Sequence, residues 1–141
     1  MSVGLLLITH NDIGAALLAT VVRMLGACPL PARALTVTDE ADRDALRVAA
    51  MDLAAQLDQG DGVLVLTDLY GSSPANIAAA LQDRTRVVAV AGVNLPMLVR
   101  VLKYPDLPLD ALADKALSAG REGVMRCKRS AAAATAEAGQ P

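Results

Sequence analysis

The chain has 141 residues, a net charge of −2 at pH 7, and 54% hydrophobic residues, mostly Ala, Leu and Val. This length fits one domain with a substantial core. With two tyrosines as its only aromatic residues and a pI near 5.2, the chain lacks the stacking surfaces and the basic charge of nucleic-acid binders, so we expect no nucleic-acid partner. Charges interrupt every apolar run before the ~18 residues of a membrane span, and no basic region precedes the first run, so we expect a cytoplasmic protein.

The first half of the chain predicts two strands and two helices in alternation. VGLLLI (residues 3–8) is a continuous apolar run typical of a buried strand, and apolar residues at helical spacing predict a helix from residue 13 to about residue 25. A short strand is predicted near residues 34–37. The acidic segment TDEAD lies at the start of a helix from about residue 41 to residue 57, since the helix dipole favours acids at this end.

The second half repeats the alternation and then ends in helices. GVLVLT (residues 62–67) is apolar on both faces, as a covered parallel sheet requires, and a helix follows from Pro74 or Ala75 to residue 81. The remaining predicted elements are a strand over residues 86–90, a helix from about residue 96 to residue 102, and a last helix from about residue 109 to the GREG segment at residues 120–123.

This alternation of strands and helices indicates an α/β fold with right-handed crossovers. We predict a doubly wound, mainly parallel four-stranded sheet of order 2-1-3-4 with helices on both faces. In such sheets ligands bind beyond the carboxyl ends of the strands, where the strand order reverses. The order 2-1-3-4 places the first and third strands side by side, so Thr9 and His10 end beside Thr67 and Asp68.

The single histidine of the chain stands at the end of the first predicted strand. A neutral imidazole offers one nitrogen lone pair as a nucleophile when its other nitrogen carries the proton. A carboxylate that accepts this N–H fixes the tautomer and stabilises the cation formed on attack. Asp68 is the natural partner, so His10 and Asp68 form the predicted catalytic pair if a phosphoryl group is the cargo.

The segments around this pair suit an anionic group. Gly71 lets the backbone turn close to a ligand, and Ser72 and Ser73 bring amides and hydroxyls to the N-terminus of a predicted helix, where an anion is favoured. Thr9 supplies a further hydroxyl, and the segment Gly92-Val93-Asn94 reaches the same edge of the sheet. The residues predicted to bind the phosphoryl group are Thr9, Thr67, Gly71, Ser72 and Ser73.

Each of these segments also has a simpler interpretation. A lone histidine at a strand end is often a solvated or capping residue, Asp68 can begin a turn, GSSP can be a capped helix start, and AGVNLP can connect a strand to a helix. Cys28 and Cys127 form no paired motif, and with one histidine they do not predict a zinc site. The GxxxxGK[ST] segment of ATP-binding loops and the acidic cluster of a magnesium site are both missing, so we predict no metal ion and no cofactor.

The chain resembles a known family through LLITHNDIGAALL, LVLTDLYGSSPAN, VAGVNLPML and SAGREGV, which occur in order and with suitable spacing. They are similar to the mannose-type enzyme IIA domains of the bacterial phosphoenolpyruvate-dependent sugar phosphotransferase system (PTS), the mannose/fructose/sorbose family. The similarity covers about residues 2–128. We therefore expect this domain over residues 1–128 and a low-complexity tail over residues 129–141.

The resemblance implies a phosphocarrier that takes a phosphoryl group from the histidine-containing phosphocarrier protein and passes it to a histidine of a IIB partner. His10 matches the phosphorylated residue and Asp68 the acid that orients it, while Thr9 and the Gly71-Ser72-Ser73 loop match the phosphoryl-holding surroundings. Contact with a membrane is implied only through the IIC and IID components. Two residues depart from the family pattern: Asn11 stands where glycine is frequent, and Ser72 stands where a glycine or alanine is frequent.

The resemblance also implies a homodimer that exchanges an edge element near the C-terminus, for which GREGVMRCK (residues 120–128) is the candidate. Because no IIB domain follows in the chain, we expect reversible docking on other proteins. Tyr70 is expected to pack over the site, and an apolar rim around His10 is either a docking surface or part of the core; its residues are Leu69, Tyr70, Leu95 and Met97. Two alternatives remain: a phosphorylation-dependent regulator without a transport role, and a flavodoxin-like small-molecule binding module.

Overall fold

The computed structural model describes residues 2–84 and 86–130. The elements in these residues, in chain order, are β1 (Gly4–His10), α1 (Ile13–Leu25), β2 (Ala32–Val37), α2 (Arg43–Leu57), β3 (Val63–Thr67), α3 (Ser73–Leu81), β4 (Val87–Ala91), α4 (Leu95–Lys103) and α5 (Leu109–Glu122). Each predicted strand and helix is present. Of the predicted tail over residues 129–141, residues 131–141 lie outside the described part of the chain.

The four strands form one parallel sheet of order β2-β1-β3-β4, which confirms the predicted order. β1 pairs with β2 up to His10 opposite Val37, and with β3 up to Ile8 opposite Thr67. Because β1 and β3 are neighbours and parallel, both deliver the residues at their carboxyl ends to the same edge of the sheet. Asp68, the residue after β3, therefore comes level with the end of β1.

Helices cover both faces of the sheet, as predicted. On one face Leu5 and Leu7 of β1 pack in a cluster with α1, α4 and α5, and on the other face Leu6 and Ile8 pack with α2 and α3. All four side chains are completely buried. This explains why β1 is a continuous apolar run rather than an alternating one: both of its faces lie in a core.

The observed element boundaries differ from the predicted ones where a side chain begins a helix. The second helix starts at Arg43 instead of about residue 41, because the Asp42 carboxylate accepts a hydrogen bond from the backbone N–H of Asp44 at 2.9 Å and caps the helix there. The whole acidic TDEAD segment thus precedes the first turn of α2 and ends at its capping residue, Asp42.

The candidate exchange element over residues 120–128 lies partly in a helix and partly in irregular chain. Its first three residues end α5, and residues 124–130 form neither helix nor strand. An edge strand exchanged between two copies therefore stays a prediction about the dimer. Within the described residues, no helix combines the length and the apolar character needed to cross a membrane.

Candidate functional site

The predicted pair is joined directly. His10 is the last residue of β1 and Asp68 follows β3, and the imidazole Nδ1 lies 2.8 Å from the Asp68 carboxylate oxygen Oδ2. The same oxygen also accepts a hydrogen bond from the backbone N–H of His10 at 3.1 Å. Two contacts to one oxygen hold the carboxylate against both the ring and the backbone of the histidine.

The charge state of Asp68 determines the tautomer of the ring. Burial acts to raise the pKa of Asp68, but the hydrogen bonds from the side chain and backbone of His10 prevail and hold this pKa below its ordinary value. An ionised carboxylate only accepts hydrogen bonds, so Nδ1 carries the proton that points at Oδ2. In a neutral ring of this tautomer the other nitrogen, Nε2, carries the lone pair.

The two side chains differ in exposure in the way that a nucleophile and its orienting group require. The side chain of His10 is 36% exposed and that of Asp68 is 13% exposed. The imidazole can therefore be reached by a group on another protein, whereas the carboxylate is largely shielded from water. Shielding strengthens the interaction between the carboxylate and any positive charge that forms on the ring.

The turn after His10 depends on an asparagine in the left-handed region. Asn11 has a φ of 48°, and its backbone N–H donates to the Val37 carbonyl at 3.0 Å, which ties the turn to β2. Asparagine adopts such angles more readily than most residues. Asn11 thus adopts the backbone conformation of this turn at a position where the resembled family frequently has glycine.

Thr9 holds the start of α1 in place. Its hydroxyl oxygen accepts a hydrogen bond from the backbone N–H of Gly14 at 2.7 Å, and a Cβ on Gly14 would lie 2.9 Å from that oxygen. Adjacent residues of a strand point to opposite faces, and Thr9 lies on the α1 face while His10 lies on the face of α2 and α3. The predicted contact of Thr9 with a phosphoryl group gains no support from this placement.

The GSS loop leads into α3 as predicted. Gly71 has a φ of 82°, which favours glycine, and Ser73 is the first residue of α3. The hydroxyl of Ser72 donates to the Leu69 carbonyl at 2.6 Å and does not cap the helix. The first turn of α3 thus lacks a side-chain cap from Ser72, which leaves its amides suited to an anion.

Thr67 and Asp68 each bury an oxygen without a partner. Thr67 Oγ1 and Asp68 Oδ1 have no hydrogen-bond partner among the described residues. Thr67 lines a cavity of about 240 Å³ beside α3 and β4, together with Asn76 and Gln82, whereas His10 lines a different cavity of about 70 Å³. Thr67 is therefore not among the residues that line the cavity at His10, and its predicted role toward the phosphoryl group stays a prediction.

The cavity at His10 includes residues that the motifs did not indicate. Ser73 lines it as expected, but Thr38, Asp39 and Arg43 line it as well. These three belong to the loop after β2 and to the start of α2, where no recognisable motif occurs. These residues could have been predicted from the strand order alone. Because β2 lies beside β1, the loop after β2 borders His10 at the end of β1.

Asn94 caps a helix, and the residues of the expected apolar rim differ in burial. Asn94 caps α4, because its Oδ1 accepts from the Met97 N–H at 2.9 Å and its Nδ2 donates to the Gly120 carbonyl at 3.0 Å. Of the apolar rim, Met97 is buried in the core, while Leu69 is 60% exposed. Tyr70 is 88% exposed, so the expectation that it packs over the site is wrong for this single chain.

Comparison with known proteins identifies the family of the chain. The family model described as PTS system fructose IIA component matches residues 4–116, which is most of the chain. The PTS system mannose-specific EIIAB component of Escherichia coli (strain K12) is 43% identical over 77 residues, covering 52% of this chain and 24% of that protein. The chain thus matches about a quarter of the length of that curated relative.

Solved structures show the same fold. The mannose/sorbose specific IIA subunit of the phosphotransferase system from Enterococcus faecalis superposes with a TM-score of 0.77 and 28% identity, over 92% of this chain and 98% of that one. The phosphotransferase system component EIIA from Streptococcus agalactiae superposes with a TM-score of 0.74 and 22% identity, over 88% and 96% of the two chains. The family match over most of the chain shows that the chain belongs to the mannose-type IIA family of the sugar phosphotransferase system.

Proposed function

We propose that this protein is a phosphocarrier, a phosphotransferase whose intermediate is a phosphohistidine at His10. It accepts the phosphoryl group from the histidine-containing phosphocarrier protein and passes it to a histidine of a IIB partner, in sugar uptake or its regulation. The observation that carries the proposal is the 2.8 Å contact between His10 Nδ1 and Asp68 Oδ2. Membership of the IIA family supports the same reaction class.

The transfer exchanges one nitrogen–phosphorus bond for another. The lone pair of His10 Nε2 attacks the phosphorus in line, the Nε2–P bond forms, and the N–P bond of the donor breaks, so that the donor histidine leaves with the electron pair. The positive charge that develops on the ring of His10 is stabilised by the Asp68 carboxylate at Nδ1–H. Since the bonds made and broken are of one kind, the step is reversible, and catalysis consists mainly of positioning and charge stabilisation.

The transferred group would lie between the imidazole and the start of α3. Ser73 lines the same cavity as His10, and the uncapped first turn of α3 favours a negative charge there. The hydroxyl of Ser72 would have to release the Leu69 carbonyl before it could donate to a phosphoryl oxygen. Ser73 and the helix amides are therefore better placed than Ser72 to receive the group.

The protein partners would meet the exposed loop beside the imidazole. Leu69 and Tyr70 are 60% and 88% exposed and follow Asp68 directly in the chain. Exposed apolar side chains next to a reactive group favour a protein partner, which excludes water when it docks. We place the protein in the cytoplasm as a homodimer, with contact to a membrane only through the IIC and IID components.

Labelling with a radioactive donor tests the proposal. The full chain is incubated with ³²P-labelled phosphoenolpyruvate, enzyme I and the histidine-containing phosphocarrier protein, and acid-labile label is measured on the wild type and on His10→Ala. The wild type should take up about one phosphoryl group per chain and the variant none. Label that persists unchanged in His10→Ala would refute the assignment of His10.

A further inference from the structure

The cavity that His10 lines has the size of a small anion. Its volume is about 70 Å³, and it lies between the end of β1, the loop after β2 and the start of α3. A single ordered water needs about 10–15 Å³ on a comparable measure, so there is room for a group of four heavy atoms. The residues that line it include two hydroxyls, one cation and one carboxylate besides the imidazole: Thr38, Ser73, Arg43 and Asp39.

Arg43 is the cation of this cavity and is not engaged in an ion pair. Among the described residues, the ion pairs are His10 with Asp68 and Arg100 with Glu122, so the guanidinium of Arg43 is not tied to Asp39 across the cavity. The backbone N–H groups at the start of α2 are less suited to bind an anion, because the Asp42 carboxylate already accepts a hydrogen bond from the backbone N–H of Asp44. The guanidinium is therefore the group of α2 best suited to bind an anion here.

The charges around Arg43 make its contribution necessary. Four acids stand in the loop before α2 and in its first turn, namely Asp39, Glu40, Asp42 and Asp44. A phosphoryl group brings further negative charge to this side of the imidazole. A guanidinium offsets that repulsion, and its planar fork can donate two parallel hydrogen bonds to the oxygens of one phosphoryl group.

We propose that Arg43 binds the non-bridging oxygens of the phosphoryl group on His10 and so determines how fast the group is accepted and how long it is held. The proposal rests on the function proposed above, because it concerns the same phosphohistidine. No bond forms or breaks at Arg43. The guanidinium orients the group and stabilises its charge while the nitrogen–phosphorus bond is exchanged.

The test compares Arg43→Gln and Arg43→Lys with a matched control, Arg47→Gln. Arg47 is an exposed arginine one turn further along α2 and does not line the cavity. The rate of labelling by the phosphorylated carrier protein should fall about tenfold in Arg43→Gln, since a charge-assisted hydrogen bond is lost. Arg43→Lys should lie between Arg43→Gln and the wild type, because it keeps the charge but loses the fork. Arg47→Gln should stay within about twofold of the wild type.

A second measurement separates binding of the group from a structural role. The ³¹P signal of each phosphorylated protein is titrated with pH. Loss of the guanidinium should raise the apparent pKa of the phosphoryl group in Arg43→Gln and leave it unchanged in Arg47→Gln. Thermal unfolding confirms that each variant is folded. If Arg43→Gln does not fold, Arg43→Lys carries the test, and a labelling rate and titration equal to the wild type in that variant would overturn the proposal.

The outcomes also distinguish this inference from the proposed function. If the wild type takes no label at His10, the phosphocarrier function fails and the role of Arg43 fails with it. If the wild type and Arg47→Gln are labelled normally and folded Arg43→Gln matches them in both measurements, the function stands and the role of Arg43 is refuted. An equal slowing in Arg43→Gln and Arg47→Gln would likewise refute it, since a general effect of charge would then explain the result.

Discussion

At the scale of single residues, the site depends on the Asp68 carboxylate, which stays ionised because His10 donates hydrogen bonds to it. Oδ2 of Asp68 meets both the ring and the backbone N–H of His10, and these contacts outweigh the burial that opposes ionisation. The pair was predictable from the sequence, because polar residues at the ends of two adjacent parallel strands must meet. The differing exposure of the two side chains was not predictable, since it depends on how the loops cover them.

The lowered pKa of Asp68 predicts a pH dependence of stability. A group whose pKa is lower in the folded state stabilises the fold above its unfolded value, here 3.8, and this stabilisation is lost as the pH falls through the folded value. The free energy of unfolding should therefore fall more steeply below about pH 4 in the wild type than in Asp68→Asn. Denaturant unfolding between pH 2.5 and pH 7, at roughly half-unit steps, measures this. The control is Asp114→Asn, an exposed acid on α5, and equal slopes in all three proteins would contradict the prediction.

Substitution by valine should affect stability differently at the two buried threonines of the strand ends. The hydroxyl of Thr9 accepts from the Gly14 N–H, so Thr9→Val leaves that buried donor unpaired and should cost about 1–3 kcal/mol. The hydroxyl of Thr67 has no partner among the described residues, so Thr67→Val should be neutral or stabilise by up to about 1 kcal/mol. Chemical denaturation of both variants measures the difference. Equal losses of stability would show that the hydroxyl of Thr67 is satisfied in solution.

At the scale of elements, the site is built by loops that leave the carboxyl ends of three adjacent strands. The loop after β1 carries Asn11, the loop after β3 carries Gly71, and the loop after β2 brings Arg43 with the start of α2. The first two loops contain recognisable motifs, and both were assigned to the site from the sequence. The third has no motif of its own, so its contribution became visible only from its position beside β1.

The exposed β3–α3 loop predicts an effect on partner docking. Tyr70 is 88% exposed, so Tyr70→Glu places a charge on the surface without disturbing the core. Transfer from the carrier protein should slow about tenfold, because a desolvated contact of this kind is typically worth more than 1 kcal/mol. Met24→Glu is the control, since Met24 is 60% exposed near the C-terminal end of α1. Rapid-quench kinetics measure the rate, and equal rates in the two variants would contradict docking at this loop.

At the scale of the whole molecule, the continuous apolar strands determined most of what could be predicted. A run such as VGLLLI is buried on both faces, and this requires helices above and below a parallel sheet, which the structure shows. Helix starts were less predictable, because a capping side chain such as that of Asp42 moves the boundary by a residue or two. Tyr70 was misplaced for a similar reason, since tertiary contacts decide whether a loop side chain covers a site or faces water.

The proposed homodimer predicts a mass in solution of about twice 14.5 kDa. Light scattering on the full chain should therefore give the mass of a dimer. If residues 124–128 form the exchanged element, a chain shortened after residue 123 should associate more weakly. Circular dichroism checks that the shortened chain keeps its helices. A monomeric mass for the full chain at high concentration would contradict the dimer.

Nuclear magnetic resonance of the imidazole detects directly which ring nitrogen bonds to Asp68 and which accepts phosphorus, because His10 is the only histidine of the chain and its ring signals need no assignment by mutation. Long-range ¹H–¹⁵N correlation at neutral pH reports which ring nitrogen carries the proton, and the same spectrum after phosphorylation reports which nitrogen carries phosphorus. We expect a proton on Nδ1 before transfer and phosphorus on Nε2 afterwards. A proton on Nε2 in the free protein, or phosphorus on Nδ1 in the phosphorylated protein, would contradict it.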